Sequence, residues 1–288
     1  MRQNMNKWVI GLSVLFLASC GGKSGKQDIT VEMTDTIATE TEGLKTIQLD
    51  TLAVTWIQDN AAPKLMPSSL FEGASKQVID SLGLQEGVPA SMSTFLVQTN
   101  GKRILFDTGL GDSSSCLLPH LKTMGITPED IDYIYLTHFH GNHIGGMMKG
   151  DSVVFPKAEV FAAKMEYDGW MSMPDDKKAQ VVKTMTAYKD RLHLFEFGDT
   201  LPGNVLTLNA IGHTPGHTVF KTGKLLVVGD LIHGAALQLP YPDICASFDM
   251  DERLAILSRK YFLQYAEENG LVVAGMHLPS PAFLPNKQ

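Results

Sequence analysis

A chain of 288 residues with 44% hydrophobic and 19% charged residues carries enough apolar material for one large folded domain or two small ones. The formal net charge of −7, with no stripe of Lys and Arg, argues against nucleic-acid binding, because phosphate contacts need clustered cations. No internal repeat is present, and the only low-complexity stretch is a short polar one near the start.

The chain opens with Arg2 and Lys7, then an apolar stretch from Trp8 to Ala18. That length suits a signal peptide and is short for a membrane span. It ends in Leu17-Ala18-Ser19-Cys20-Gly21. This run resembles a bacterial lipobox, which implies removal of residues 1–19 and lipidation of Cys20. The mature protein would then sit in the cell envelope, facing the periplasm or the cell surface. A plain secretory signal with an incidental cysteine is the alternative. Several acyl chains give the stable anchoring that one does not. Residues 21 to 44 are rich in Gly, Ser, Thr, Lys and Glu and read as a flexible tether, leaving 45–288 as the working domain.

Ile47 to Trp56 alternates and predicts one strand. Asp59 to Pro89, with Pro63 and Pro67, reads as a long irregular segment, of the kind that forms a pocket rim or a homodimer contact. Thr94–Thr99 and Arg103–Phe106 flank Asn100-Gly101, a hairpin signal. The second of these strands runs into Asp107-Thr108-Gly109. A carboxylate there either orients a metal-bound histidine or caps a turn. Ser115 to Met124 predicts a helix stopped by Gly125, and Thr127-Pro128-Glu129-Asp130 a further helical turn. Cys116 and Cys245 are the cysteines left beside Cys20; they either pair or serve as small buried apolar residues.

Ile131 to Leu136 predicts a buried strand that ends in Thr137-His138-Phe139-His140-Gly141-Asn142-His143-Ile144-Gly145-Gly146. In an extended chain His138 and His140 share a face. Imidazoles so grouped make a metal-binding arrangement; a set of hydrogen-bonded core histidines is the bland alternative. Strands follow at Lys157–Ala162, Leu192–Phe197 and Val205–Ala210, with helices at Lys164–Trp170 and Pro174–Arg191. Gly212-His213-Thr214-Pro215-Gly216-His217-Thr218 then places two more histidines in a tight turn. An apolar strand, Lys224–Val228, ends in Gly229-Asp230. A helix over Asp251–Glu268 and a strand over Leu271–Gly275 precede His277. At least four strand ends or turns thus deliver His or Asp, which argues for one polynuclear site at a sheet edge.

Taken together, His138, His140, Asn142, His143, His217, Asp230 and His277 resemble the metal stations of the metallo-β-lactamase superfamily, in order and over residues from about 50 to 280. Asp107-Thr108-Gly109, the Gly-His-Thr-Pro-Gly-His-Thr turn and Gly229-Asp230-Leu231-Ile232 look most like the branch with methyl parathion hydrolase and the N-acyl-homoserine lactonases. The resemblance implies an α+β fold, a four-layer αβ/βα sandwich with metals at one edge. It implies a zinc hydrolase in which a metal-bound hydroxide attacks small esters, lactones or phosphotriesters. His138, His140 and His217 would hold the first Zn2+, His143 and His277 the second, and Asp230 would bridge. Asp107, Thr137 and His213 would support them from behind.

One station departs. The family's aspartate is Asn142 here, a neutral and weaker ligand that cannot shuttle a proton. A weaker second metal follows, and His233 is a candidate replacement, as proton donor or extra ligand, unless it merely lines the wall. The catalytic candidates are therefore Asp230, His277, Asn142 and His233. Iron, manganese or cobalt suit the same donor set. Two other readings stand beside the hydrolase: a metal- or ligand-binding lipoprotein of attenuated activity, and a β-lactamase. The expected partner is a small-molecule substrate, with no nucleic acid and membrane contact only through the lipid. Trp56, Phe71, Trp170, Met171, Leu237 and Tyr241 are candidates for the pocket wall or for ordinary core.

Overall fold

The computed structural model describes residues 42–284 apart from residue 63. The signal segment, Cys20, most of the tether and Pro63 lie outside the described residues.

Two sheets carry the domain. The larger runs in the order Leu44–Leu49, Leu52–Gln58, Ser93–Thr99, Lys102–Phe106, Tyr133–Tyr135, Glu159–Ala163, Leu192–Phe195. Its first four strands are antiparallel, and from Lys102–Phe106 onward the neighbours are parallel. The smaller sheet runs Thr200–Leu201, Val205–Asn209, Thr218–Thr222, Leu225–Val227, Val272–Ala274, Phe283–Leu284.

Side-chain alternation sorts the larger sheet's residues into two cores. Phe95, Val97, Ile104, Phe106 and Tyr135 pack with Val205, Val219, Phe220 and Leu226 of the other sheet. Their neighbours Leu96, Leu105 and Ile134 point the other way, onto Leu117, Leu121, Val181 and Met185 of the helices Leu117–Thr123 and Asp175–Ala187. Phe262, from the helix Glu252–Glu268, packs against Val228, Leu231, Ile232 and Val273 beside the smaller sheet. Helices therefore cover both sheets, giving the four-layer αβ/βα arrangement. Strands covered on both faces explain the near-continuous apolar runs. Each buried Leu or Phe contributes about 2 kcal/mol to this sandwich.

Three expectations need correction. The span Ile47–Trp56 is a hairpin, Leu44–Leu49 with Leu52–Gln58, turning at Asp50 with φ 52°. Aspartate tolerates that left-handed backbone, so no glycine marks the turn. Asp59–Pro89 is not irregular throughout. It holds short strands Lys64–Met66, Phe71–Glu72 and Val88–Ala90 and the helix Lys76–Ser81. Met66, Phe71, Ile79, Leu84 and Val88 close a small core there with Leu237 and Ile244. Third, pairing in the central strand stops at Tyr135, so His138 and His140 lie in the loop beyond it and not on one strand face. Cys116 and Cys245 are free thiols. The remaining predicted elements shift by a few residues at their ends.

Candidate metal centre

The site stands at one edge of the sandwich, where strand ends and loops meet. The strand Lys102–Phe106 delivers Asp107, whose φ of 58° is left-handed. Asp107 Oδ1 accepts from Thr137 N at 2.8 Å and Oδ2 from Thr137 Oγ1 at 2.7 Å. The same Oδ2 accepts from His143 Nδ1 at 2.7 Å. One carboxylate therefore ties the histidine loop to the neighbouring strand and orients an imidazole. A short helical turn, Gly141–Ile144, carries Asn142 and His143. The loops then touch backbone to backbone: a Cβ on Gly145 would lie 2.0 Å from Leu110 O, and one on Gly146 2.1 Å from Thr108 O. Only glycine permits that approach.

Three ring nitrogens converge first. His138 Nε2 and His140 Nδ1 are 3.0 Å apart, His140 Nδ1 and His213 Nε2 3.0 Å, and His138 Nε2 and His213 Nε2 3.2 Å. Tetrahedral ligands with metal–nitrogen bonds of 2.0–2.1 Å would be about 3.3 Å apart. Two of the three outer nitrogens are engaged elsewhere. His213 Nδ1 donates to Asp249 Oδ1 at 2.9 Å, and His138 Nδ1 lies 3.0 Å from Thr137 Oγ1. A carboxylate only accepts, so the His213 proton sits on Nδ1 and the Nε2 lone pair faces inward.

A second set lies beside it. His143 Nε2 is 3.1 Å from Asp230 Oδ1, and His277 Nε2 is 3.0 Å from Asp230 Oδ2. His277 Nδ1 donates to Ser91 O at 2.9 Å, so its Nε2 lone pair also faces inward. Asp230 Oδ2 stands 3.4 Å from His213 Nε2 and 3.7 Å from His138 Nε2, between the two sets. The buried His143 Nε2 and Asp230 Oδ1 face each other without hydrogen-bond alignment and have no other partner among the described residues. Buried orphans cost about 1–3 kcal/mol each. Lone pairs turned inward around a shared carboxylate fit divalent cations, which would satisfy both atoms.

The electrostatics divide the rings into neutral ones and two that must shed a proton before they can ligate. Burial, and then the neighbouring His143, drives the His138 pKa well below the ordinary imidazole range. Burial and the nearby His213 push His140 down to about 2 and His217 down to about 3. Burial works against a charged His143 as well, but Asp230 and Asp107 outweigh it and raise its pKa to about 10. His213 is raised to about 9, where bonds to Asp230 and Asp249 overcome burial. Asp230 is held well below the carboxylate range: burial opposes this, and His143, His277 and His138 prevail.

His217 does not join either set. Its Nδ1 donates to Ala210 O at 3.1 Å and its Nε2 accepts from Asp230 N at 3.1 Å. It props the turn that carries Asp230, and the place among the converging ring nitrogens is taken by His213, where the sequence suggests His217. Both histidines lie in one turn, and residue order alone does not say which ring points inward. Asn142 Nδ2 approaches His277 Nε2 at 3.4 Å. The His233 ring stacks on His277 with centroids 5.3 Å apart, and its Nε2 is 3.4 Å from Asp230 Oδ2. Burial lowers its pKa to about 4. Of the wall candidates, Trp170 meets His140 edge-on at 5.7 Å. Trp56 belongs to the inter-sheet core, Met171 packs on the outer core, and Phe71 and Leu237 lie in the small core. Tyr241 is partly exposed.

Two acids escaped the sequence reading. Glu166 is buried in the helix Lys164–Met171. Its Oε1 accepts from Phe139 N at 2.9 Å and Trp170 Nε1 at 2.7 Å, and its Oε2 from Thr214 Oγ1 at 2.8 Å and Gly216 N at 2.7 Å. It clamps the His138–His140 loop to the His213 turn. Burial raises its pKa, against those four donors. Asp249 is the second, behind His213. Neither stands at a strand end or beside a glycine, the signals that marked Asp107 and Asp230.

Solved structures share this architecture. The chain is similar to AidC, a dizinc quorum-quenching lactonase, with TM-score 0.77 and 28% identity over 85% of this chain and 94% of that one. It is similar to AbOPH, a hydrolase in the beta-lactamase superfamily, with TM-score 0.76 and 27% identity over 88% and 95%. A Caenorhabditis elegans relative, Beta-lactamase-like protein 2 homolog, is 28% identical over 181 residues, 60% of this chain and 55% of that protein. The chain thus spans about half the length of that relative. The metallo-beta-lactamase superfamily profile matches residues 88–268, which takes in every convergent residue described above except His277, and by that match the chain belongs to the superfamily.

Proposed function

We propose that this protein is a metal-dependent hydrolase of small esters, lactones or phosphotriesters, with zinc as its metal. The observation that carries the reading is the pair of imidazole sets, lone pairs inward, joined by Asp230. His138, His140 and His213 would hold one ion, and His143 and His277 a second, with Asp230 between them. Bound zinc supplies a water acidic enough to react near neutral pH and polarises the substrate oxygen. Asp107 and Asp249 hold the imidazoles in the ligating tautomer. Asn142 has no acidic proton to give a leaving group, so substrates with good leaving groups suffer least. The likeness to AidC, described as a lactonase, supports the lactone arm.

Elemental analysis of the purified protein, beside an ester, lactone and phosphotriester screen, tests this. At least one bound zinc is expected, with turnover that a chelator abolishes and added metal restores. Metal-replete protein inert across the whole screen would overturn the proposal. In that case the neutral amide 3.4 Å from His277 favours the second reading, a metal-binding protein of attenuated activity. Envelope anchoring through Cys20 belongs to the proposal too. Labelling with a radioactive fatty acid is expected to mark the wild-type protein and not Cys20→Ala, and unlabelled wild type would refute the anchor.

A further inference from the structure

One buried ion pair stands directly behind the ligands. Arg259, on the helix Glu252–Glu268, is 1% exposed, and its Nη2 lies 3.3 Å from Asp249 Oδ2. The other carboxylate oxygen accepts from His213 Nδ1. The same guanidinium donates through Nε to Leu231 O at 2.6 Å, and through Nη1 to Pro242 O at 2.8 Å and Ile244 O at 3.1 Å. Leu231 follows Asp230 directly. One side chain therefore grips both the residue after the shared carboxylate and the acid behind His213. The backbone repeats the grip: Met250 N donates to His213 O at 3.2 Å and Asp251 N to Gly212 O at 2.8 Å. Asp251 in turn caps the Arg259 helix, accepting from Leu254 N at 2.9 Å.

Stability is a weak reason for such a pair. Well-packed apolar side chains replace buried ion pairs at little cost, or with a gain. They cannot fork across carbonyls and a carboxylate in fixed geometry, which is what a guanidinium does. We propose that Arg259 and Asp249 form a positioning element that sets His213 against Asp230 and so tunes the affinity of the His138–His140–His213 set. Asp249 does so by fixing the Nδ1–H tautomer and strengthening the imidazole as a donor. Arg259 does so by holding Asp249 in register with the end of the Leu225–Val227 strand. Neither residue contacts the reacting atoms.

The inference rests on the reading of the site as a metal centre, and its test separates the two. The full chain is titrated with Zn2+ against a competing chelator, and Co2+-substituted protein is followed by its visible absorption. Thermal midpoints of metal-free protein are recorded alongside. Asp249→Ala is expected to weaken one metal equivalent by about 10–100-fold and shift the cobalt bands, while the other equivalent changes far less. Asp249→Asn keeps an acceptor oxygen for His213 but turns an NH2 toward Arg259, and recovers only part of that loss. Arg259→Lys, with charge but no fork, fails to recover what Arg259→Met loses. Wild-type affinity and unshifted bands in Asp249→Ala and Arg259→Met would overturn the inference alone. Equal weakening of both equivalents, in step with the thermal midpoint, would also overturn it, because that pattern marks a structural role only. Should Asp249→Ala fail to fold, the isosteric Asp249→Asn decides through its bands, which must shift. Wild-type protein that binds no metal would bring down the site reading and this inference together.

Discussion

Asn142 shows how much a single atom decides. Its neighbours His143 and His277 are held by Asp107 and Ser91 with their lone pairs turned toward Asp230. The position between them offers an amide, with no charge to set against a dication. Restoring the acid should therefore tighten the second metal. Asn142→Asp is expected to raise second-site affinity about tenfold or more, equivalent to about 1.4 kcal/mol. Metal content after exhaustive dialysis checks this. If turnover rises along with metal, the native site is an attenuated hydrolase; if only metal rises, the binding reading is the better one. Metal content that does not move would show that Asn142 lies outside the coordination sphere.

Elements, more than residues, separate what was legible in the sequence from what was not. Strand ends that deliver Asp107, His138, Asp230 and His277 were readable, because a β-prone run that ends in a polar group with a glycine nearby is a local pattern. The direction in which a ring points within a turn is not local. His213 and His217 differ only by the partners the fold gives them, Asp249 for one and Ala210 for the other. The hairpin at Asp50 was hidden because aspartate adopts positive φ without a glycine signature. The segment after Asp59 hid its small core because part of that core, Leu237 and Ile244, comes from far along the chain. Glu166 was invisible for a related reason: a helix acid at position 166 looks solvated until the loops fold over it. Its importance can be measured. Glu166→Gln replaces one acceptor oxygen with an NH2 that faces two of the four donors. Leaving those donors unpaired should cost about 2–6 kcal/mol, at about 1–3 kcal/mol each. A urea midpoint lowered accordingly is expected, with loss of metal from the His138–His140–His213 set. A variant as stable as wild type would show that the clamp is dispensable.

At the scale of the molecule, the sandwich gathers His138, His140, His143, His213, His217, His233 and His277 around one buried acid, Asp230. Such a pocket needs positive charge, and protons compete with metal to supply it. In the metal-free protein His143 titrates at about 10 and His213 at about 9, since Asp230, with Asp107 or Asp249, outweighs burial. Both folded values lie above the ordinary imidazole value of about 6.5. Their stabilisation of the metal-free fold is therefore complete below that value, and it is lost as pH rises through about 9 to about 10. A metal that takes the two Nε2 lone pairs must expel the two protons. Apparent affinity should accordingly climb from pH 6 by about tenfold per unit for each proton displaced, more gently between about 9 and about 10, and level off above that. Calorimetric zinc titration at pH 7, in buffers of different ionisation heat, reads the count directly. Full loading should release about two protons per chain. Release of none would mean that Asp230 does not hold His143 and His213 protonated, and the electrostatic account of the pocket would fail with it.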